Sequence, residues 1–323
     1  MLYRRLILIP FLIFPLVSSG AAQLQKEPGK DFQIIVDVEL VQLPISVVDR
    51  DGRPVLGLSQ EHFQVFEDKV GQEISLFRHE DVPISVGLVI DNSGSMRNKR
   101  ERVSSAALTF VRESNAEDET FIVAFDDSAY LEQDFTRSIG NLMDALDNMD
   151  TRGETAFNDA VFLSLDHVKN DGRMDKKALL VITDGEDNKS DYEFREVMAK
   201  LKEVDVTIYA IGLLEQNDQR GGLFRKSPSQ KARKALEEIA EATGGKAFFP
   251  ESLSEVEDLC RQIAHDLRNH YTVGYNPSNK VFDGTYRTID VEVNPPLGFP
   301  KLDVRTKPGY TAPTGKPVSE NNP

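Results

Sequence analysis

Between residues 83 and 269 the chain alternates short, near-continuous apolar runs with stretches of helical period. The runs at 84–90, 121–125, 178–183 and 206–211 carry few polar positions, as expected of strands buried on both faces. Between them, Val103, Ala106, Ala107, Phe110 and Val111 recur at the i, i+3, i+4, i+7 spacing of an amphipathic helix. Phe157, Ala160, Val161, Leu165 and Val168 repeat that spacing, as do Ala232, Ala235, Leu236, Ile239 and Ala240. Ser190 with Glu193 predicts a capping box for a helix over 191–203, and Gly244-Gly245 ends the following helix. A last helix over 253–268 carries Cys260 on its apolar face. Residues 130–135 read as an edge strand, antiparallel after the Asp126-Asp127 turn. Strand alternating with helix predicts an α/β fold with a doubly wound, mostly parallel sheet.

The flanks follow a different period. Leu43, Ile45 and Val47 alternate with polar or small neighbours, then Asp51-Gly52 marks a turn, and short strands follow at 63–65 and 74–76. Near the other end, Tyr271, Val273 and Tyr275 alternate, Asp283-Gly284 turns the chain, and Ile289, Val291 and Val293 alternate again. Each flank is too short to bury a core alone. The pattern therefore predicts one flanking β domain of five to seven strands, built from residues 32–80 and 270–311, with an α/β domain over 81–269 inserted into it. Two unrelated extensions packed on the α/β core are the alternative. Pro, Gly, Ser and Asn over 312–323 predict a disordered tail.

Composition narrows the functional classes. A net charge of −15 argues against nucleic acid or an anionic membrane as partner. Arg4 and Arg5, an apolar stretch over 6–17 and the small residues Ser18-Ser19-Gly20-Ala21-Ala22 make residues 1–25 an export signal, predicting a secreted or periplasmic protein. The apolar stretch falls short of the roughly twenty residues that span a bilayer, so no membrane insertion is expected after cleavage; an uncleaved anchor is the alternative. With Cys260 the single cysteine, no intrachain disulfide forms.

The chemistry concentrates behind the first apolar run. Asp91-Asn92-Ser93-Gly94-Ser95 delivers one carboxylate and two hydroxyls, at alternate positions, into a tight turn after a buried strand. Oxygen donors of this kind suit a hard divalent cation, Mg²⁺ or Mn²⁺, better than zinc or copper. Two later segments, Gly153-Glu154-Thr155-Ala156 and Thr183-Asp184-Gly185, each place one more oxygen where a helix begins or a strand ends. In open parallel sheets such loops meet beyond the carboxyl ends of the strands.

The three-part pattern, Asp-x-Ser-x-Ser then Thr then Asp-Gly, resembles the metal-ion-dependent adhesion site of von Willebrand factor type A domains. The resemblance implies that Ser93, Ser95 and Thr155 give hydroxyl oxygens to a metal, and that Asp91 and Asp184 bind it directly or through water. It also implies an open coordination position for a carboxylate from a protein partner. Where the family commonly has a plainer Gly-Gly, this chain has Arg152-Gly153-Glu154. Further stretches, residues 47–55, Phe63-x-Val65-x-Glu67-Asp68 and Gly309-Tyr310, look like the exported VWFA-related proteins known chiefly from acidobacteria.

An enzyme finds little support: the five His residues form no H-E-x-x-H spacing, and no G-x-S-x-G elbow occurs. The expected function is recognition of a protein partner that supplies an acidic residue. A structural subunit of an envelope assembly and, more remotely, a metal-dependent hydrolase are the alternatives, and oligomeric state is open. Glu186 and Asp187 read as a solvated loop, with a second cation site as the sharper alternative. Residues 213–234 form a long, net basic connection on the metal face, read either as a rim that attracts an acidic partner or as a solvated insertion.

Overall fold

A computed structural model describes residues 40–79, 81–214, 227–296, 298–299 and 301–314. The export signal expected at 1–25 and residues 315–323 of the expected tail lie outside them. All described residues belong to the compact unit Asp37–Pro323. Among them, no helix is long and apolar enough to cross a membrane.

In chain order, the first flank supplies strands β1 (Val41–Val48), β2 (Phe63–Glu67), β3 (Val70–Gln72) and β4 (Ile74–Arg78). The central part runs β5 (Ile84–Asp91), α1 (Arg100–Glu113), β6 (Glu119–Phe125), β7 (Ala129–Thr136), α2 (Ile139–Asn148), α3 (Phe157–Asp171) and β8 (Lys176–Thr183). It continues through α4 (Phe194–Leu201), β9 (Thr207–Gly212), α5 (Pro228–Ala242), β10 (Ala247–Phe248) and α6 (Val256–Arg268). The second flank adds β11 (Tyr271–Tyr275), β12 (Tyr286–Val293), β13 (Asp303–Arg305) and β14 (Gly309–Thr311).

The central sheet has the order β10-β9-β8-β5-β6-β7, parallel except for β7, which runs antiparallel to β6 as expected of the edge strand. Every residue of β5 is buried, because the sheet is covered on both faces. Successive side chains point to opposite faces. Val86, Leu88 and Ile90 therefore pack with α1, α2 and α6, while Val89 joins Phe121, Val123 and Phe125 against α3, α4 and α5. Gly87 is obligatory in the middle of β5: a Cβ there would lie 2.3 Å from Phe121 and 2.6 Å from Leu179.

Among the described residues the flanks form eight strands rather than five to seven. They make two four-stranded antiparallel sheets, β13-β1-β11-β4 and β14-β12-β2-β3, each mixing strands from both ends of the chain. Their apolar faces share one core, with Leu43, Ile45, Phe63, Val65, Tyr271 and Val273 inside it. Within it, Glu67 accepts from Tyr275 Oη at 2.8 Å and Tyr310 Oη at 2.9 Å, and pairs with Arg287 at 3.3 Å. Asp68 Oδ1 accepts the amide and hydroxyl of Thr288. The Glu67-Asp68 and Gly309-Tyr310 motifs thus pin the two flanks together.

Three expectations change. Helix α4 starts at Phe194, and its first turn is closed by Glu193 N donating to Glu196 Oε2 at 2.8 Å; Ser190 instead hydrogen-bonds Asp187. Helix α2 was not foreseen, although Ser138 caps it and Leu142, Ala145 and Leu146 give it a buried face. Order also persists beyond residue 311: Ala312 is buried and its amide donates to Thr285 O, while Thr314 bridges to Asp283.

Candidate metal centre

Strands β5 and β8 are parallel neighbours, so their carboxyl ends deliver Asp91 and Asp184 side by side. The turn after β5 bends because Asp91 Oδ1 accepts Ser93 N at 2.9 Å. Asp91 Oδ2 accepts Thr183 Oγ1 at 2.6 Å and, more weakly, Asp184 N at 3.4 Å. One oxygen of this buried carboxylate therefore shapes the first loop, and the other ties it to the third. Burial pushes its pKa above the ordinary carboxylate range, against the hydrogen bonds from Ser93 and Thr183 and with the help of Asp184.

The hydroxyls form a chain. Ser93 Oγ lies 3.0 Å from Ser95 Oγ, and Ser95 Oγ donates to Asp184 Oδ1 at 2.7 Å. Ser93 is buried, whereas Ser95 opens to solvent. Thr155 lies beside the third loop, since its Oγ1 is 3.4 Å from where a side chain at Gly185 would begin. The structure thus gathers Asp91, Ser93, Ser95, Thr155 and Asp184 at one end of the sheet.

Backbone stitching fixes the middle loop. Asn92 O accepts Arg152 N at 3.0 Å, and Gly153 O accepts Gly94 N at 3.1 Å. Asn92 Nδ2 donates to Asp150 O at 3.0 Å and Tyr130 Oη at 3.2 Å. Thr155 N donates to Asn188 Oδ1 at 2.9 Å. Gly153 sits at φ 68°, and a Cβ there would fall 2.7 Å from the Asp127 carboxyl carbon, so glycine is required twice over. Its neighbours act apart: Arg152 pairs with Asp126 at 3.2 Å and Glu154 with Lys189 at 3.7 Å.

Several surrounding residues differ from expectation. Lys99, which the sequence pattern did not single out, forms an ion pair with Asp184 Oδ2. Glu186 is neutralised by Lys231 at 2.6 Å, and Asp187 accepts from Asn158 Nδ2 at 3.0 Å, so neither is a free loop residue. Of the basic connection, residues 215–226 lie outside the described residues. Its remaining cations Lys231, Arg233 and Lys234 pair with Glu186, Glu237 and Glu238.

The donor set fits a hard cation. Among the described residues no three His, Cys, Asp or Glu side chains cluster as a metal-holding group. The centre instead combines two carboxylates with three hydroxyls, a set suited to Mg²⁺ or Mn²⁺.

A Synechocystis protein, sll0103, is 24% identical over 193 residues, which cover 58% of this chain; the chain spans 42% of that relative's length. Among solved structures, a von Willebrand factor type A protein from Catenulispora acidiphila is similar over 86% of this chain and 75% of its own, with 11% identity and a TM-score of 0.47. BatB from Bacteroides thetaiotaomicron is similar over 58% of this chain and all of its own, with 18% identity and a TM-score of 0.44. Proximal thread matrix protein 1 from the mussel byssus, in a structure with a zinc-occupied MIDAS motif, covers 62% of this chain and 49% of its own, with 17% identity and a TM-score of 0.47. Residues 86–186 match the family model of the von Willebrand factor type A domain, and the chain contains a domain of this type.

Proposed function

We propose that this protein is an exported recognition module that binds Mg²⁺ or Mn²⁺ through Asp91, Ser93, Ser95, Thr155 and Asp184 and engages an acidic residue of a protein partner. The observation that carries the reading is the hydroxyl chain Ser93–Ser95–Asp184, with Thr155 beside the adjoining Gly185, at the carboxyl end of the sheet. Ser95 is the solvent-exposed member and the natural point of access. A bound divalent cation supplies a positive point at which a carboxylate oxygen from outside completes the coordination. Asp91 contributes charge and holds two loops in register, while Ser93, Ser95 and Thr155 present neutral oxygens that leave a bound cation partly uncompensated. Domains of this type commonly mediate protein–protein interactions. Export rests on the pattern of residues 1–25.

Catalysis is disfavoured by the residues around the centre. None of the five histidines lies in the three loops, and Lys99 is committed to Asp184. Calorimetric titration of the full chain with Mg²⁺ and Mn²⁺, followed by capture of envelope proteins in Mg²⁺ against EDTA, tests the proposal. Saturable metal binding with EDTA-sensitive capture is expected; absence of metal binding overturns it.

A further inference from the structure

At the opposite pole from the candidate metal centre, where the parallel strands begin, a cleft of about 420 Å³ lies between the central sheet and the β13-β1-β11-β4 sheet. That volume is in the range of small-molecule sites, which favour junctions of this kind. One wall is a cross-strand row. Pro44 pairs with Thr272 and Thr272 with Arg78, so the three share the face opposite the buried Leu43, Ile45 and Val273. The other wall is the turn from α3 into β8, carrying Arg173, and the start of β8, carrying Lys176 and Lys177.

Its charge runs against that of the chain. Arg78, Arg173, Lys176 and Lys177 line the cleft with only Asp175 and Asp205, and Asp205 is already held by Lys307 at 2.9 Å. The four cations have no carboxylate in contact among the described residues. Lys176 Nζ donates to Leu267 O at 2.7 Å and Lys177 Nζ to Met174 O at 2.8 Å, both uncharged acceptors. The guanidinium groups of Arg78 and Arg173 make no hydrogen bond or ion pair with the described residues. Desolvation lowers the Lys176 pKa to about 8, with Asp81, Asp266 and Asp118 opposing it only from a distance. A cation removed from water without a counter-ion is costly, and an anion entering the cleft offsets that cost.

We propose that this cleft binds a small oxyanion ligand, a carboxylate or a phosphate, between the guanidinium groups of Arg78 and Arg173, with Lys176 as the enclosed counter-charge. Guanidinium forks match both anions in geometry, and such bonds are stronger than neutral ones. The cleft shares no residue with the metal centre, so the proposal stands apart from the recognition function.

The test is calorimetric titration of the full chain in EDTA, at constant ionic strength, with succinate and separately with inorganic phosphate. Saturable one-to-one binding of either is expected, and which one binds identifies the source of the oxyanion. Combined Arg78→Gln and Arg173→Gln, both at exposed positions, lowers affinity about ten-fold or more. Lys189→Gln with Arg195→Gln, remote from the cleft, leaves it unchanged. Bound anion also raises the Lys176 pKa from about 8 toward the ordinary lysine range, read by NMR titration. Absence of saturable binding for both probes, or equal affinity in the Arg78/Arg173 variant, overturns the proposal.

Discussion

Lys99 and Asp184 stand 85 residues apart in sequence, yet the Lys99 ammonium is ion-paired with one oxygen of Asp184 while Ser95 donates to the other at 2.7 Å. The Asp184 side chain is 3% exposed and that of Lys99 24%, so the pair is shielded from bulk water. Under the proposed metal binding, a fixed positive charge on the Asp184 carboxylate would oppose a divalent cation at the same spot. Lys99→Met is therefore expected to tighten Mg²⁺ binding about ten-fold, equivalent to about 1.4 kcal/mol of relieved repulsion. Calorimetry on parent and variant measures it, and equal affinities would remove Lys99 from any control of the centre.

Ser95 and Asp91 separate metal binding from stability. Ser95 is exposed, so Ser95→Ala weakens Mg²⁺ binding while changing stability by less than about 0.5 kcal/mol. Asp91 is 1% exposed and accepts from Ser93 N and Thr183 Oγ1, which Asp91→Ala leaves without their partner. That variant should lose metal binding and also about 1–3 kcal/mol in denaturant melts performed in EDTA. An Asp91→Ala protein as stable as the parent would show that the carboxylate does not hold the loops.

Removing the first flank should be fatal to the second. Strand β11 lies between β1 and β4, and β12 between β2 and β14, so a chain of residues 81–323 leaves β11 with both edges bare. It also uncovers Tyr271, Val273 and Tyr275, all fully buried. Such edges template aggregation, and the truncated chain is expected to elute as aggregate in gel filtration. A monomeric, cooperatively melting 81–323 fragment would contradict the shared sheets.

What could be read in the sequence divides by range. Each buried strand of the central sheet announced itself through its own composition, as the run behind Asp91 did, and a doubly wound sheet follows from the alternation alone. The position of the candidate site was legible for the same reason, because strand ends set where Asp91 and Asp184 emerge. Long-range partners left no local trace. Nothing near Lys99 points to Asp184, and nothing near Glu67 points to Arg287 or Tyr310. Two-residue β10 is too short to show a period. Helix α2 carried a signal in Leu142, Ala145 and Leu146, which its brevity and the neighbouring polar residues masked.

The last helix is bolted to the flanking sheet through Asp266. Its Oδ1 accepts Ser46 Oγ at 2.6 Å, and its Oδ2 accepts Tyr209 Oη at 2.6 Å and Arg305 Nη2 at 2.8 Å. Burial pushes the carboxyl pKa up, but His270, Arg305, Ser46 and Tyr209 outweigh it and hold the pKa below the ordinary value of 3.8. A depressed carboxyl contributes stability above its unfolded value that is lost as pH falls through the folded one. Parent stability should therefore drop below about pH 4, and Asp266→Asn should flatten that drop. Arg305→Ala, which leaves the buried charge short of its cation, should cost about 3–5 kcal/mol at neutral pH. An acid limb unchanged in Asp266→Asn would assign the loss to other carboxylates.

Cys260 offers a reporter for opening of the same helix. Its side chain is fully buried between α6 and the central sheet, and burial, aided by Glu257, pushes the thiol pKa up to about 12. The reactive thiolate is therefore scarce near neutral pH, and the sulfur is shielded from solvent. Native protein is expected to resist alkylation by iodoacetamide and to react fully in denaturant. Any slow native reaction should follow the rate or equilibrium of helix opening. Ser46→Ala and Arg305→Ala, which loosen the Asp266 anchor, should accelerate it in proportion to their loss of stability. Prompt labelling of the folded parent would mean that α6 detaches far more readily than its buried face allows.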